Sequence, residues 1–410
     1  MSFKKNFPYG KQNINWSDIW AVVKTLRSPF LTQGPKIAEF EQALCAYTGA
    51  KYALVVANGT LALNIAVAAL DLEPEFEGIT SANTFVASAN CIEEAGGRAV
   101  FADIDPMTAN VTAETIQARF TSKTKVLIPV HFAGQSCDMK SIHAFAKKHN
   151  LFVIEDAAHA IGSEYASEKV GSCKYADMTI FSFHPVKNMT TGEGGAITTN
   201  DPKLYERLLM LRTIGITKNS ALMVRNDGPW FYEMKYLSPN CRITDMQAAL
   251  GISQLKRLDS FVAKRRQLVQ LYKELFTGDI RFDFLKEKAD SRAAFHLFPL
   301  LINFNVVKLD KREIFLKLKE CGVGTQVHYI PVHTQPYYQA KGWNFGDCPV
   351  AEQYYQEALT LPLYVDLQVA DVKRIVEIIK EVVIASEKGD CLSPYGDCPA
   401  KATATSSMSV

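Results

Sequence analysis

Short β-branched runs alternate along the chain with longer stretches in which apolar residues recur at helical spacing. This is the pattern of a mostly parallel sheet whose strands are joined by covering helices. KYALVVA (residues 51–57) predicts a strand, and TLALNIAVAAL (60–70) resumes a helical period after it. A helix before them, over 38–47, places Phe40, Leu44 and Tyr47 on one face. Further strands are expected over 98–102, 125–129, 151–155, 178–183 and 195–199. Several are almost wholly apolar, as strands buried on both faces of a sheet are. From Arg242 a long helical run passes through Asp245, Ala248, Leu255 and Phe261 to Phe276, followed by the strand-like HLFPLLINF (296–304). A helix over 311–321, a loop or strand over 326–331 and a last helix over 371–385 complete the periodic part.

The fold class is therefore α/β, with a large domain over 1–245 and a connecting helix plus small C-terminal domain over 246–385. From Ser386 the periodicity stops and Ser, Thr, Ala, Pro and Gly dominate, so 386–410 is expected to be a flexible tail. Composition removes several classes. With 410 residues, 48% hydrophobic and 21% charged, the chain is neither disordered nor collagen-like. Its 45 basic and 43 acidic residues leave a net charge of +2 with both signs interspersed, and no basic stripe points to nucleic acid. No apolar run is long enough for a membrane span, and MSFKKNFPYG lacks the apolar core of a signal peptide, so a cytoplasmic protein is expected. The nine cysteines contain no CxxC pair, and no metal site is expected from them.

Three stretches carry candidate chemistry. In LFVIEDAAHAIGSEY (151–165) the carboxylates Glu155 and Asp156 end an apolar strand, with His159 three residues on. Asp156 alone reads equally well as a helix cap, yet ligands of open α/β sheets sit beyond the carboxyl ends of strands, where it falls. In FSFHPVKNMTTGEGGA (181–196) a strand ends near Ser182, and Lys187 stands among hydroxyls and the glycines 192, 194 and 195. A lysine whose pKa is lowered by burial is a nucleophile toward carbonyl carbon. In VVANGTLALNIA (55–66) a strand passes into a helix through Asn58, Gly59 and Thr60, a geometry that suits an anion as well as an ordinary capped turn. Phe85, in SANTFVASAN (81–90), is either core or a surface for stacking on a planar ring.

These elements, together with LTQGP (31–35) and NCRITDMQAALG (240–251), resemble in order and spacing the DegT/DnrJ/EryC1/StrS family of pyridoxal-phosphate-dependent sugar aminotransferases, over roughly residues 8–385. Within it, LTQG, HAIGSEY and QVHYIPVH (326–333) most resemble the aminotransferases of pseudaminic acid biosynthesis, which act at C4 of a UDP-linked 4-keto-6-deoxy-N-acetylaltrosamine. The resemblance implies the type I aminotransferase fold, with a smaller α+β C-terminal domain. It implies pyridoxal 5′-phosphate, cycling through its pyridoxamine form, as cofactor, and L-glutamate as the amino donor.

The same resemblance assigns roles. Lys187 binds the cofactor aldehyde covalently and moves protons, and Asp156 pairs with the ring nitrogen. His159 contacts the ring and Phe85 stacks on it. Gly59, Thr60 and Ser182 hold the phosphate, joined by Asn240 from the neighbouring subunit of a homodimer with a shared active site. Tyr9, His328 and Tyr329 lie near the sugar, with Glu193 a further candidate, and Arg242 is structural or interfacial.

Three other readings compete with this one. In some dehydratases of the same fold histidine replaces the lysine, whereas Lys187 is present. A vestigial regulatory protein is expected to lose costly polar groups such as Asp156, Ser182, Lys187 and Asn240. A nucleotide-sugar enzyme using NAD needs a glycine-rich first turn, and residues 51–60 hold only Gly59.

Overall fold

The computed structural model describes residues 5–388. Seven strands form the central sheet: β1 (Tyr52–Val56), β2 (Glu77–Ser81), β3 (Arg98–Ala102), β4 (Thr124–Ile128), β5 (Phe152–Asp156), β6 (Met178–Ser182) and β7 (Gly195–Thr199), in the order β1-β7-β6-β5-β4-β2-β3. Six run in one direction. β7 runs antiparallel to both of its neighbours, β1 and β6. Alternation along the strands serves two cores: Leu54 and Val56 pack into one, while Val55 and Phe181 pack into another with Phe40 and Leu44 of helix α1 (Pro35–Thr48). Strand β2 carries no clear sequence signal, because Glu77 and Gly78 break its apolar run. Glu77 is nevertheless buried, with its carboxylate accepting from the Thr121 hydroxyl.

The register around β7 builds the site. Gly195 lies opposite Val56 of β1 on one side and Ser182 of β6 on the other. A Cβ at Gly195 would sit 2.5 Å from the carbonyl oxygen of Asn58, so glycine lets the turn after β1 close against β6. That turn opens helix α2 (Gly59–Ala68), whose first turn is capped by the Asn58 side chain accepting from Leu61 N at 2.8 Å. On the other side of β6, Asp156 pairs in register with Ile180.

The long helical run expected from Arg242 to Phe276 begins at Asp245 and is two helices, α3 (Asp245–Leu255) and α4 (Leu258–Phe276). The break at Lys256 and Arg257 leaves the apolar period intact, since Leu255 and Leu258 are both buried. Beyond them, an antiparallel sheet of β8 (Phe282–Phe284), β9 (Phe298–Ile302) and β10 (Ala358–Leu361) packs with α5 (Lys311–Glu320) and α6 (Val369–Lys388) over a core that includes Tyr272, Leu300, Ile314 and Ile375. Helix α6 continues three residues past the expected end at Ala385. The rest of the segment expected as a tail lies outside the described residues. Among the described residues no helix is long and apolar enough to cross a membrane.

Candidate active site

A cavity of about 890 Å³ opens beyond the carboxyl ends of β1, β5 and β6, lined also by residues 326–329. Every residue given a cofactor or substrate role from the sequence lines it except Asn240.

Lys187 stands in the loop between β6 and β7. That loop is pinned by Thr190 Oγ1 and Thr191 N, which donate to Phe183 O at 2.9 and 3.0 Å, and by Asn188 Nδ2, which donates to Ile161 O at 3.3 Å. Burial disfavours the ammonium and lowers the Lys187 pKa to about 8, while the negative charge of Asp156 acts in the opposite direction. A substantial fraction of the amine is therefore neutral near physiological pH. Asp156 is buried at the end of β5. One carboxylate oxygen, Oδ1, accepts from Ala158 N at 3.1 Å, and Oδ2 accepts from the Ser88 hydroxyl at 2.6 Å.

Four histidines line the cavity, and three of them, His159, His296 and His328, have lowered pKa values. His159 Nε2 lies 3.0 Å from the Tyr329 hydroxyl, and its other nitrogen, also buried, has no hydrogen-bond partner. The His296 ring lies 4.5 Å from that of His159, centroid to centroid. His328 Nδ1 is 2.9 Å from Thr360 Oγ1. Burial, and after it the charge of Lys187, holds His159 and His296 well below the ordinary histidine range and His328 at about 3, so all three are neutral. Burial also raises Tyr9, whose ring lies 5.7 Å from that of His328.

Gly59 and Ser182 make a cradle at the start of α2. A Cβ at Gly59 would lie 2.9 Å from Ser182 Cβ and 3.3 Å from its Oγ. Free N–H groups of the first helical turn, the Thr60 hydroxyl and the Ser182 hydroxyl are thus the groups available to an anion there. Phe85, 56% exposed, presents its ring to the cavity. Glu193 is an exposed residue of the rim, and its backbone carbonyl accepts from Thr191 Oγ1 and Gln247 Nε2, each at 2.7 Å. Asn240 lies outside the cavity on an exposed segment, its side-chain oxygen accepting from Arg242 N at 3.2 Å. A phosphate cradle, a partly neutral lysine amine and a fixed carboxylate in one cavity fit a planar ring that carries an aldehyde, a phosphate and a ring nitrogen. Among the described residues, no cluster of His, Cys, Asp and Glu is arranged to hold a metal ion.

Sequence reasoning passed over Ser88 and His296. Ser88 lies in the first turn of the helix Ala87–Glu94, fully buried, while Phe85 precedes that helix and is exposed. His296 opens the apolar run leading into β9 and is held by Arg265 of α4. That buried guanidinium donates to the carbonyls of His296 at 3.2 Å and Leu363 at 3.0 Å, and burial lowers its pKa to about 10.

Residues 12–380 match the model of the DegT/DnrJ/EryC1/StrS aminotransferase family. The spore coat polysaccharide biosynthesis protein SpsC of Bacillus subtilis is 40% identical over 380 residues, covering 92% of this chain and 97% of its own. A UDP-4-amino-4,6-dideoxy-N-acetyl-beta-L-altrosamine transaminase of Campylobacter jejuni is 36% identical over 388 residues, covering 93% of this chain and 99% of its own. Among solved structures, Helicobacter pylori PseC, an aminotransferase involved in the biosynthesis of pseudoaminic acid, superposes with a TM-score of 0.85 at 32% identity, covering 93% of this chain and all (100%) of that one. The sugar aminotransferase Spr1654 of Streptococcus pneumoniae, solved in its pyridoxamine phosphate form, gives 0.86 at 30% identity, with coverages of 93% and 100%.

Proposed function

Because this chain belongs to the DegT/DnrJ/EryC1/StrS aminotransferase family and depends, as that family does, on pyridoxal phosphate, we propose that it aminates C4 of a nucleotide-linked 4-keto-6-deoxy sugar. The acceptor in this reading is the UDP-linked keto precursor of 4-amino-4,6-dideoxy-N-acetyl-β-L-altrosamine, and L-glutamate is the donor. The Campylobacter and Helicobacter relatives support that choice of sugar. The observation that carries the chemistry is Lys187: a half-buried amine whose pKa is lowered to about 8, in the same cavity as a fixed acid.

When bound, pyridoxal phosphate supplies an aldehyde that carries the amino group and a ring that accepts electrons as a proton leaves the substrate carbon. The chain's own residues do the rest. Lys187, as a neutral amine, would be the residue that holds the cofactor through its aldehyde and would move the proton at the reacting substrate carbon. Asp156 would hold a proton on the ring nitrogen through a charge-assisted hydrogen bond. Gly59, Thr60 and Ser182 would hold the phosphate, with Phe85 and His159 as the residues that would contact the ring. Tyr9, His328, Tyr329 and Glu193 orient the sugar. Asn240, exposed and outside its own cavity, completes the phosphate site of a second copy, so that the working unit is a homodimer.

The test of this reading is to incubate the enzyme with glutamate and a panel of UDP- and dTDP-linked 4-keto sugars and to locate the new amino group by mass spectrometry and NMR. Amination at C4 of the UDP-linked altrosamine precursor is expected. Product from dTDP sugars alone would move the enzyme to another substrate class.

A further inference from the structure

The acid assigned to the ring nitrogen does not stand free. Ser88, on the helix Ala87–Glu94, is fully buried, and its hydroxyl has three acceptors within reach: Asp156 Oδ2 at 2.6 Å, Thr84 Oγ1 at 2.8 Å and Phe85 O at 3.3 Å. It has one proton to give. A carboxylate is an acceptor only and makes the shortest of the three contacts, so the proton goes to Asp156. The contact with Thr84 is then satisfied only if Thr84, itself buried at 2% exposure, donates to Ser88. The three side chains form a directed relay, Thr84 to Ser88 to Asp156. On the opposite oxygen, Ala158 N holds Oδ1 at 3.1 Å. With a donor fixed on each oxygen, the plane of the carboxylate is set by two separate elements, the helix carrying Ser88 and the turn after β5.

We propose that Ser88, backed by Thr84, is a positioning residue for Asp156, locking the carboxylate in the one orientation that meets the ring nitrogen of the bound cofactor. The inference rests on the role given to Asp156 above. Neither hydroxyl belongs to the phosphate cradle or reacts with substrate. Both act through the acid, and so their effect depends on there being a nitrogen in the ring.

That dependence supplies the test. The dissociation constants of pyridoxal phosphate and of 1-deazapyridoxal phosphate, in which carbon replaces the ring nitrogen, are measured by absorbance with apoenzyme of the wild type, Ser88→Ala and Asp156→Asn. Ser88→Ala is expected to bind pyridoxal phosphate about tenfold more weakly, and the deaza analogue to within about twofold of wild type. Ser88→Thr, which keeps the hydroxyl, restores the preference for the natural ring. Equal losses for both ligands would make Ser88 an ordinary packing residue and overturn the proposal, as would no loss for either. Should Ser88→Ala fail to fold, Thr84→Val carries the test, with a loss of about threefold confined to the natural cofactor expected and no such loss overturning the relay. If Asp156→Asn weakens both ligands equally, or neither, the role of Asp156 falls and this inference with it. If only Ser88→Ala does so, the inference alone falls.

Discussion

Gly59 and Ser182 approach each other so closely that a methyl group on the glycine would lie 2.9 Å from the serine Cβ. The contact joins the first turn of α2 to the end of β6, and it exists because β7 runs between β1 and β6 with Gly195 facing both Val56 and Ser182. Gly59→Ala must push these elements apart at the place where a phosphate is to be held. The expected result is a cofactor dissociation constant raised about tenfold or more, with overpacking of about 1–3 kcal/mol as its origin. Equilibrium dialysis of pyridoxal phosphate against the apoenzyme measures it.

Lys187 gives a pH dependence with a definite sign. Its folded pKa is lowered from the ordinary lysine range to about 8, so the nucleophilic neutral form grows as pH rises through that value. Mixing apoenzyme with pyridoxal phosphate in a stopped-flow spectrometer from pH about 6 to about 10 should show adduct formation accelerating about tenfold per unit at the acid end and levelling above about 8. A rate still climbing steeply above pH about 9 would place the amine at an ordinary lysine pKa.

Tyr329 supplies the one hydrogen bond of the buried His159 ring, since the other ring nitrogen has no partner. Tyr329→Phe should therefore destabilise the apoenzyme by about 1–3 kcal/mol in chemical denaturation. Adding His159→Phe to that chain removes the stranded polar group and should recover part of the loss, giving a coupling energy in the double-mutant cycle.

Asp156→Ala should lower turnover by about 100-fold or more, while Asp156→Glu, which keeps the charge at a shifted position, should fall between Ala and wild type. Single-turnover amination assays separate this loss of chemistry from loss of cofactor. Asp156→Ala with wild-type turnover would remove the acid from the mechanism.

Asn240 predicts complementation. In a hybrid dimer of Lys187→Ala and Asn240→Ala chains, one site carries both substitutions and the other carries neither if each Asn240 serves its partner. Co-expression should then recover about half the wild-type turnover per dimer. If Asn240 acts within its own chain, no intact site forms and activity stays at the level of the single variants.

Much of the frame can be read from sequence because apolar runs such as KYALVVA and LFVIE end in the polar residues they deliver to one side of the sheet. Asp156, Ser182 and the turn at Gly59 sit at strand ends, where linear pattern and spatial position coincide. Ser88 and His296 carry no such mark. Ser88 lies inside an ordinary helix, and only the fold brings it to Asp156, 68 positions away. His296 faces the cavity because Arg265, 31 positions before it, holds its backbone. The break between α3 and α4 is equally silent, since the period of buried residues continues across it.

The central claim is that Lys187 is the amine that joins the cofactor covalently. Reducing the yellow holoenzyme with borohydride and mapping the modified peptide by mass spectrometry tests it most directly. The phosphopyridoxyl group should sit on Lys187, and Lys187→Ala should yield neither adduct nor amino sugar. A label on another lysine, or a fully active Lys187→Ala enzyme, would contradict the account.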